Sequence, residues 1–118
     1  MGNYEKLRVW QLGKDLAVDI YKVTRESESL KNDYGLKDQM QRAAVSVPSN
    51  IAEGEVSGSL KNSLRYLHIA LGSLAELKTQ LIIAGEINYL TNEKTVFEVK
   101  KVVDLEVKIR NLIKARQS

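Results

Sequence analysis

An all-α fold, an antiparallel up-down-up-down four-helix bundle, follows from three observations on this sequence. Apolar residues recur at spacings of three and four through four long stretches. Proline occurs once, at Pro48, and the seven glycines are scattered rather than clustered as turns. The connectors between the stretches are short and polar, which makes successive helices antiparallel neighbours. The 118 residues, 43% apolar and 28% charged, suit one domain spanning 1–118, and no Pro/Gly/Ser-rich linker divides them.

The first helix is expected from about Lys6 to Glu26, with Trp10, Gly13, Leu16, Ala17, Ile20, Tyr21 and Thr24 on one buried stripe. Ser27 to Asp33 reads as a polar connector, with Asn32 or Asp33 as cap for the next helix. The second helix spans roughly Tyr34 to Glu53. Its stripe of Leu36, Met40, Ala43, Val47 and Ile51 keeps its rhythm through Pro48, where a bend is expected because the Ala44 carbonyl loses its donor. Ser46, Ser49, Asn50 and Glu53 cluster around that proline and are expected to satisfy the loosened backbone.

Gly54 to Ser59 forms the clearest turn, with Ser57 or Ser59 as the following cap. The third helix, about Leu60 to Glu86, alternates Leu60, Leu64, Leu67, Leu71 and Leu74 at fours and threes, with Leu81 on the same seam. Ala70, Ser73, Leu77 and Ala84 form a second stripe beside it, so this helix needs neighbours on more than one side. Gly72 and Ser73 leave room for a close helix approach. Gly85 to Leu90 closes the helix, and Thr91 caps the fourth, with Glu93 near its positive end. Val96, Val99, Val103, Ile109, Leu112 and Ile113 are expected to give the fourth helix its buried face, to about residue 115.

Composition excludes several chemistries. Without cysteine there is no disulfide, thiolate metal site or thiol nucleophile. The N-terminal Met-Gly-Asn-Tyr-Glu-Lys lacks the apolar core of a signal peptide, and no apolar run approaches the roughly 18 residues of a membrane span. A cytoplasmic location without membrane contact is expected. A bundle di-metal site needs Glu-x-x-His pairs on two helices, whereas the only histidine, His68, follows Arg65 at that spacing. No Gly-x-Ser-x-Gly elbow surrounds Ser57, and no phosphate-binding glycine loop is present. Glu53 and Glu76, placed to face each other across the second and third helices, are the best carboxylate pair, and inward carboxylates in bundles more often serve hydrogen bonding than acid–base work. A non-catalytic protein without metal or cofactor is expected.

Val-Trp-Gln at 9–11, Tyr-Gly-Leu at 34–36, the run Gln-Met-Gln-Arg-Ala-Ala-Val-Ser-Val-Pro-Ser-Asn-Ile-Ala-Glu-Gly at 39–54 and Gly-Ser-Leu-Ala-Glu-Leu at 72–77 together resemble a known family. It is the family of four-helix-bundle proteins encoded in intervening sequences of bacterial 23S ribosomal RNA genes. The resemblance implies the same bundle and a homo-oligomer, since family members and a similar accessory protein of diversity-generating retroelements form five-subunit barrels. It also implies association with nucleic acid. One departure stands out: where the family often carries paired arginines before Ala-Ala, this chain has Gln41-Arg42.

The net charge of +3 is concentrated at the C-terminus, where residues 91–118 hold seven basic and four acidic groups. Lys94, Lys101 and Lys108 repeat every seven residues, with Lys100, Arg110, Lys114 and Arg116 nearby. Asp104 and Glu106 stand at ion-pair spacing from them, so a solvated face is the plain reading of a single chain. In a ring of subunits the same stripe becomes a continuous basic surface for phosphate. The expected function is a homopentameric scaffold contacting RNA or DNA through Arg42, Arg65, Lys101, Lys108, Arg110, Lys114 and Arg116. The alternative is a protein-interaction adaptor whose apolar faces recruit a protein partner. The Ser46, Pro48, Ser49, Asn50 and Glu53 cluster is assigned a structural role.

Overall fold

Four side-chain oxygens open the helices of the computed structural model, which describes residues 3–118. Ser27 Oγ, Asp33 Oδ1, Ser59 Oγ and Thr91 Oγ1 accept from the backbone N–H groups of Leu30, Leu36, Asn62 and Lys94 at 3.1–3.2 Å. Each satisfies a donor that the first helical turn leaves free. The elements are a short 3-10 turn at Tyr4–Lys6 and α1 (Arg8–Glu26), which begin without a side-chain cap, then the four capped helices α2 (Glu28–Asn32), α3 (Tyr34–Val56), α4 (Leu60–Glu86) and α5 (Asn92–Gln117). No strand occurs among the described residues. The expectation about an N-terminal leader begins at Met1 and Gly2, which lie outside them.

The order is up-down-up-down. Thr24 meets Gln41 while Gly13 lies against Val47 and Pro48, so α1 and α3 run antiparallel. Ser46 meets Ser73 while Gly54 lies against Ser63, so α3 and α4 do too. Ser63 meets Arg116 and Gly85 lies against Thr95, which sets α4 antiparallel to α5. The bundle measures 43 × 21 × 19 Å. Its axis is filled by Ile20, Met40, Val47, Ile51, Leu67, Leu74, Leu77, Leu81, Val102 and Ile109, all shielded from solvent. Removal of apolar surface of this kind from water is the main force favouring the fold.

Several expectations need correcting. The Ser27–Asp33 connector folds into α2, which buries Leu30 completely. Ser27 both caps α2 and donates its hydroxyl to the Tyr89 carbonyl at 2.8 Å, while Tyr89 donates its own hydroxyl to Asp33 at 3.0 Å. The α4–α5 loop thereby pins the α1–α3 connection. In that loop Asn88 takes the left-handed conformation (φ 64°), which asparagine tolerates better than most residues, and the Tyr89 and Leu90 amides close onto the Ala84 carbonyl.

The face of α5 differs in part. Ile109 and Ile113 are buried and Val99 and Leu112 pack against the core as expected, but Val96 is 69% exposed and Val103 36%, and Val102, Leu105 and Glu98 are buried instead. Apolar residues occur on both sides of this helix, so two overlapping heptad patterns compete in the sequence. The inward one begins at a glutamate, which hides it. Trp10 and Tyr21 are half-buried, and Leu60, at the first position of α4, is exposed. By length and composition α4 alone among the described residues could cross a membrane, but its buried residues are turned onto α3 and α5.

Candidate functional site

Pro48 stays inside α3 without ending it, and α1 crosses closely at this point. A Cβ on Gly13 would lie 3.3 Å from Val47 Cγ1 and 3.5 Å from the Pro48 nitrogen. The polar groups nearby do not gather as expected. Asn50 Nδ2 donates to the Ser46 carbonyl at 2.7 Å and to Ser46 Oγ at 2.8 Å, and Ser46 Oγ meets Ser73 Oγ of α4 at 2.8 Å. Ser49 and Glu53 are exposed and take no part. Glu76 is exposed as well, so Glu53 and Glu76 form no buried pair. The hydrogen bonds bind α3 to α4 through Ser46; none of those described reaches the Ala44 carbonyl that the proline frees.

The seven candidate phosphate-binding cations fall into three groups. Arg116 is turned inward: its two terminal nitrogens lie 2.6 and 2.7 Å from the Glu55 carboxylate, and it also donates to Ser63 Oγ. Lys101 is tied to Asp19 at 3.0 Å and to Glu98 at 3.4 Å. These two are therefore committed to the bundle itself. Arg42 is exposed but bound to Asp38, one turn earlier, at 2.9 Å. Arg65 lies over its neighbour Tyr66, 5.3 Å from the ring centre. Lys108, Arg110 and Lys114 are exposed and make no ion pair among the described residues.

Helical spacing puts Arg110 and Lys114 one turn apart on the outward side of α5, continuing the line of Val96, Val103 and Val107. Lys108 stands to one side, on the rim of a cleft of about 320 Å³ between α1 and α5. Leu12, Leu16 and Leu105 line that cleft together with charged side chains. His68 is exposed on α4, and among the described residues no three His, Asp or Glu side chains converge as metal ligands.

Two internal carboxylates escaped the sequence reading. Glu55 is 3% exposed: burial pushes its carboxyl up, but the Arg116 hydrogen bond and charge, with Ser63, outweigh that and hold it below the ordinary glutamate value. Glu98 is fully buried, and burial followed by the neighbouring Asp19 carboxyl raises it to about 7. Asp19 moves the other way: burial opposes ionisation, yet hydrogen bonds from Glu98 and Lys101 and the Lys101 charge leave it lowered. The available signal was positional. Glu98 precedes Val102, Leu105 and Ile109 at spacings of four, three and four, an inward heptad position, and Glu55 follows the tightly packed Gly54.

With this bundle described, the comparison with known families is decisive: the family model for the 23S rRNA-intervening sequence protein matches residues 5–114. The chain belongs to the 23S rRNA-intervening sequence protein family. A similar solved structure is that of a protein with unknown function from the S23 ribosomal protein family of Bacteroides thetaiotaomicron. It superposes with a TM-score of 0.84 at 22% identity, covering 90% of this chain and 98% of that one. At that identity the likeness speaks for the fold. No curated protein matches the chain.

Proposed function

We propose that this protein is a non-catalytic, homo-oligomeric cytoplasmic scaffold that holds RNA by its phosphate backbone. The observation that carries the reading is Arg110 and Lys114 one turn apart on the outward side of α5, with Lys108 on the rim of the neighbouring cleft, all three exposed and without an ion pair among the described residues. Lysine and arginine displace condensed counterions from nucleic acid, so even three such groups per subunit gain strongly when repeated around an assembly. Arg42 and Arg65 add exposed basic groups on α3 and α4. Lys101 and Arg116 support it indirectly, by fixing α5 on the bundle.

Self-association is supported by apolar side chains left outside the protomer: Val96, Val103 and Val107 on α5, and Ile69, Ile82 and Ile83 on α4. The outward Gly72 of α4 has no atom within 4 Å of where its Cβ would stand, which leaves room for a close neighbour. A ring of five is the expected assembly. The same apolar residues support a second reading, an adaptor that docks a protein partner and has no affinity for nucleic acid.

Binding of structured RNA measured across a salt series tests the choice, alongside light scattering for subunit number. The RNA reading expects affinity that falls steeply with salt and falls again in a Lys108→Glu/Arg110→Glu/Lys114→Glu variant. An absence of binding at low salt overturns it in favour of the adaptor.

A further inference from the structure

The seam between α1 and α5 is built differently from the others. These helices approach less closely than α1–α3, α3–α4 or α4–α5, and the cleft over Leu12, Leu16 and Leu105 opens between them. At its inner end the contact is ionic. Lys101 Nζ of α5 reaches Asp19 of α1 at 3.0 Å and Glu98 Oε2 at 3.4 Å, and Lys94 Nζ reaches the same Glu98 oxygen at 3.5 Å. Glu98 lies behind this pair with no solvent exposure, and its Oε1 has no hydrogen-bond partner among the described residues.

We propose that Asp19, Glu98 and Lys101 form a proton-operated latch on the α1–α5 seam, closed while Glu98 keeps its proton and loosened when it ionises. In the closed state Glu98 is neutral and the negative charge of Asp19 is met by Lys101 at 3.0 Å. Loss of the proton to solvent leaves a second carboxylate in the interior, with one oxygen unpaired. Lys94 and Lys101 balance its charge but do not supply a donor to Oε1, so hydration through the adjoining cleft becomes favourable. Water reaches Glu98 only if α1 moves off α5.

The groups acting on Glu98 are few. From α1 comes Asp19, and from α5 itself come Lys94 and Lys101. The buried charged side chain on α3 is Glu55, held by Arg116 about five turns further along α5, and α4 buries no charged group. The high value of Glu98, about 7, places the transition in the physiological range. Because the folded value exceeds the unfolded one, the latch is fully made in acid and is lost as pH rises toward 7.

The test compares the wild type with Glu98→Gln, whose amide keeps the shape of a neutral carboxyl but cannot ionise. Backbone hydrogen exchange, corrected for its intrinsic pH dependence, is followed from pH 5 to 8 in residues 12–19 and 98–108. Opening of this seam in the wild type is expected to increase with pH by up to tenfold per unit, to level off above 7, and to stay flat in E98Q. Equal slopes in both proteins overturn the latch. If E98Q fails to fold, the carbon-13 titration of the Glu98 side chain in the wild type serves instead. A midpoint near 7 with a parallel loss of seam protection supports the latch, and a midpoint in the ordinary glutamate range, or protection unchanged across it, overturns it.

Discussion

Arg116 places both terminal nitrogens of its guanidinium on the carboxylate of Glu55, at 2.6 and 2.7 Å, two residues before the chain ends. The forked geometry matches the two carboxylate oxygens, and the Ser63 hydroxyl completes the site. One ion pair thus joins the last turn of α5 to the last turn of α3 and the first turn of α4. Leu112 and Ile113 hold the same end of α5 by apolar packing.

Arg116→Ala is expected to destabilise the fold by about 3–5 kcal/mol, because it strands the Glu55 charge in a nearly solvent-free position. Glu55→Gln/Arg116→Met should recover much of that loss. Urea unfolding of the two variants checks the pair, and equal stability of R116A and wild type would refute it.

Acid should act through the same site. The Glu55 value is lower in the folded protein, so its contribution is present above the ordinary glutamate value and is lost as pH falls through the folded one. The wild type should therefore lose more stability than Glu55→Gln between about pH 5 and pH 2. Thermal unfolding of both across that range provides the measurement.

Gly54→Ala should destabilise by about 1–3 kcal/mol, since its Cβ would lie 2.8 Å from Tyr66 Cβ and 3.3 Å from the Ser63 Cα. Backbone and a side-chain root cannot yield as a flexible tip would. Gly72→Ala, where nothing lies within 4 Å, should leave the isolated protomer unharmed. A matched pair of thermal melts distinguishes the two positions.

Tyr89→Phe should cost about 1 kcal/mol by removing the donor to Asp33, and Asp33→Ala should cost about 1–2 kcal/mol because the α3 cap goes with it. The ordering of these two losses in chemical denaturation is the discriminating result.

Lys101→Glu and Arg110→Glu should separate folding from binding. The first sets a third carboxylate against Asp19 and Glu98 and should lower Tm, while the second leaves Tm unchanged and weakens RNA binding. Melting curves and a salt-dependent binding series on the same preparations provide both readouts.

The four long helices, the Leu60–Glu86 span of α4, the cap at Thr91 and the choice of Asn32 or Asp33 and of Ser57 or Ser59 as the other caps were legible in the amino-acid order because capping and periodicity are local, whereas the short α2 was not. A cap oxygen meets an amide three residues away, and a buried stripe repeats every turn. The inward side of α5 was legible only in part: Ile109 and Ile113 follow from the order, but Val96 and Val103 make as good an apolar stripe as Val102 and Leu105 until the other helices choose between them. The partners of the cations were hidden for the same reason. Arg116 and Glu55 are separated by 61 residues, and Lys101 and Asp19 by 82. Local sequence thus determined four amphipathic rods, and their packing decided which charges became internal and which stayed at the surface, because an ion pair across helices exists only once the register between them is set.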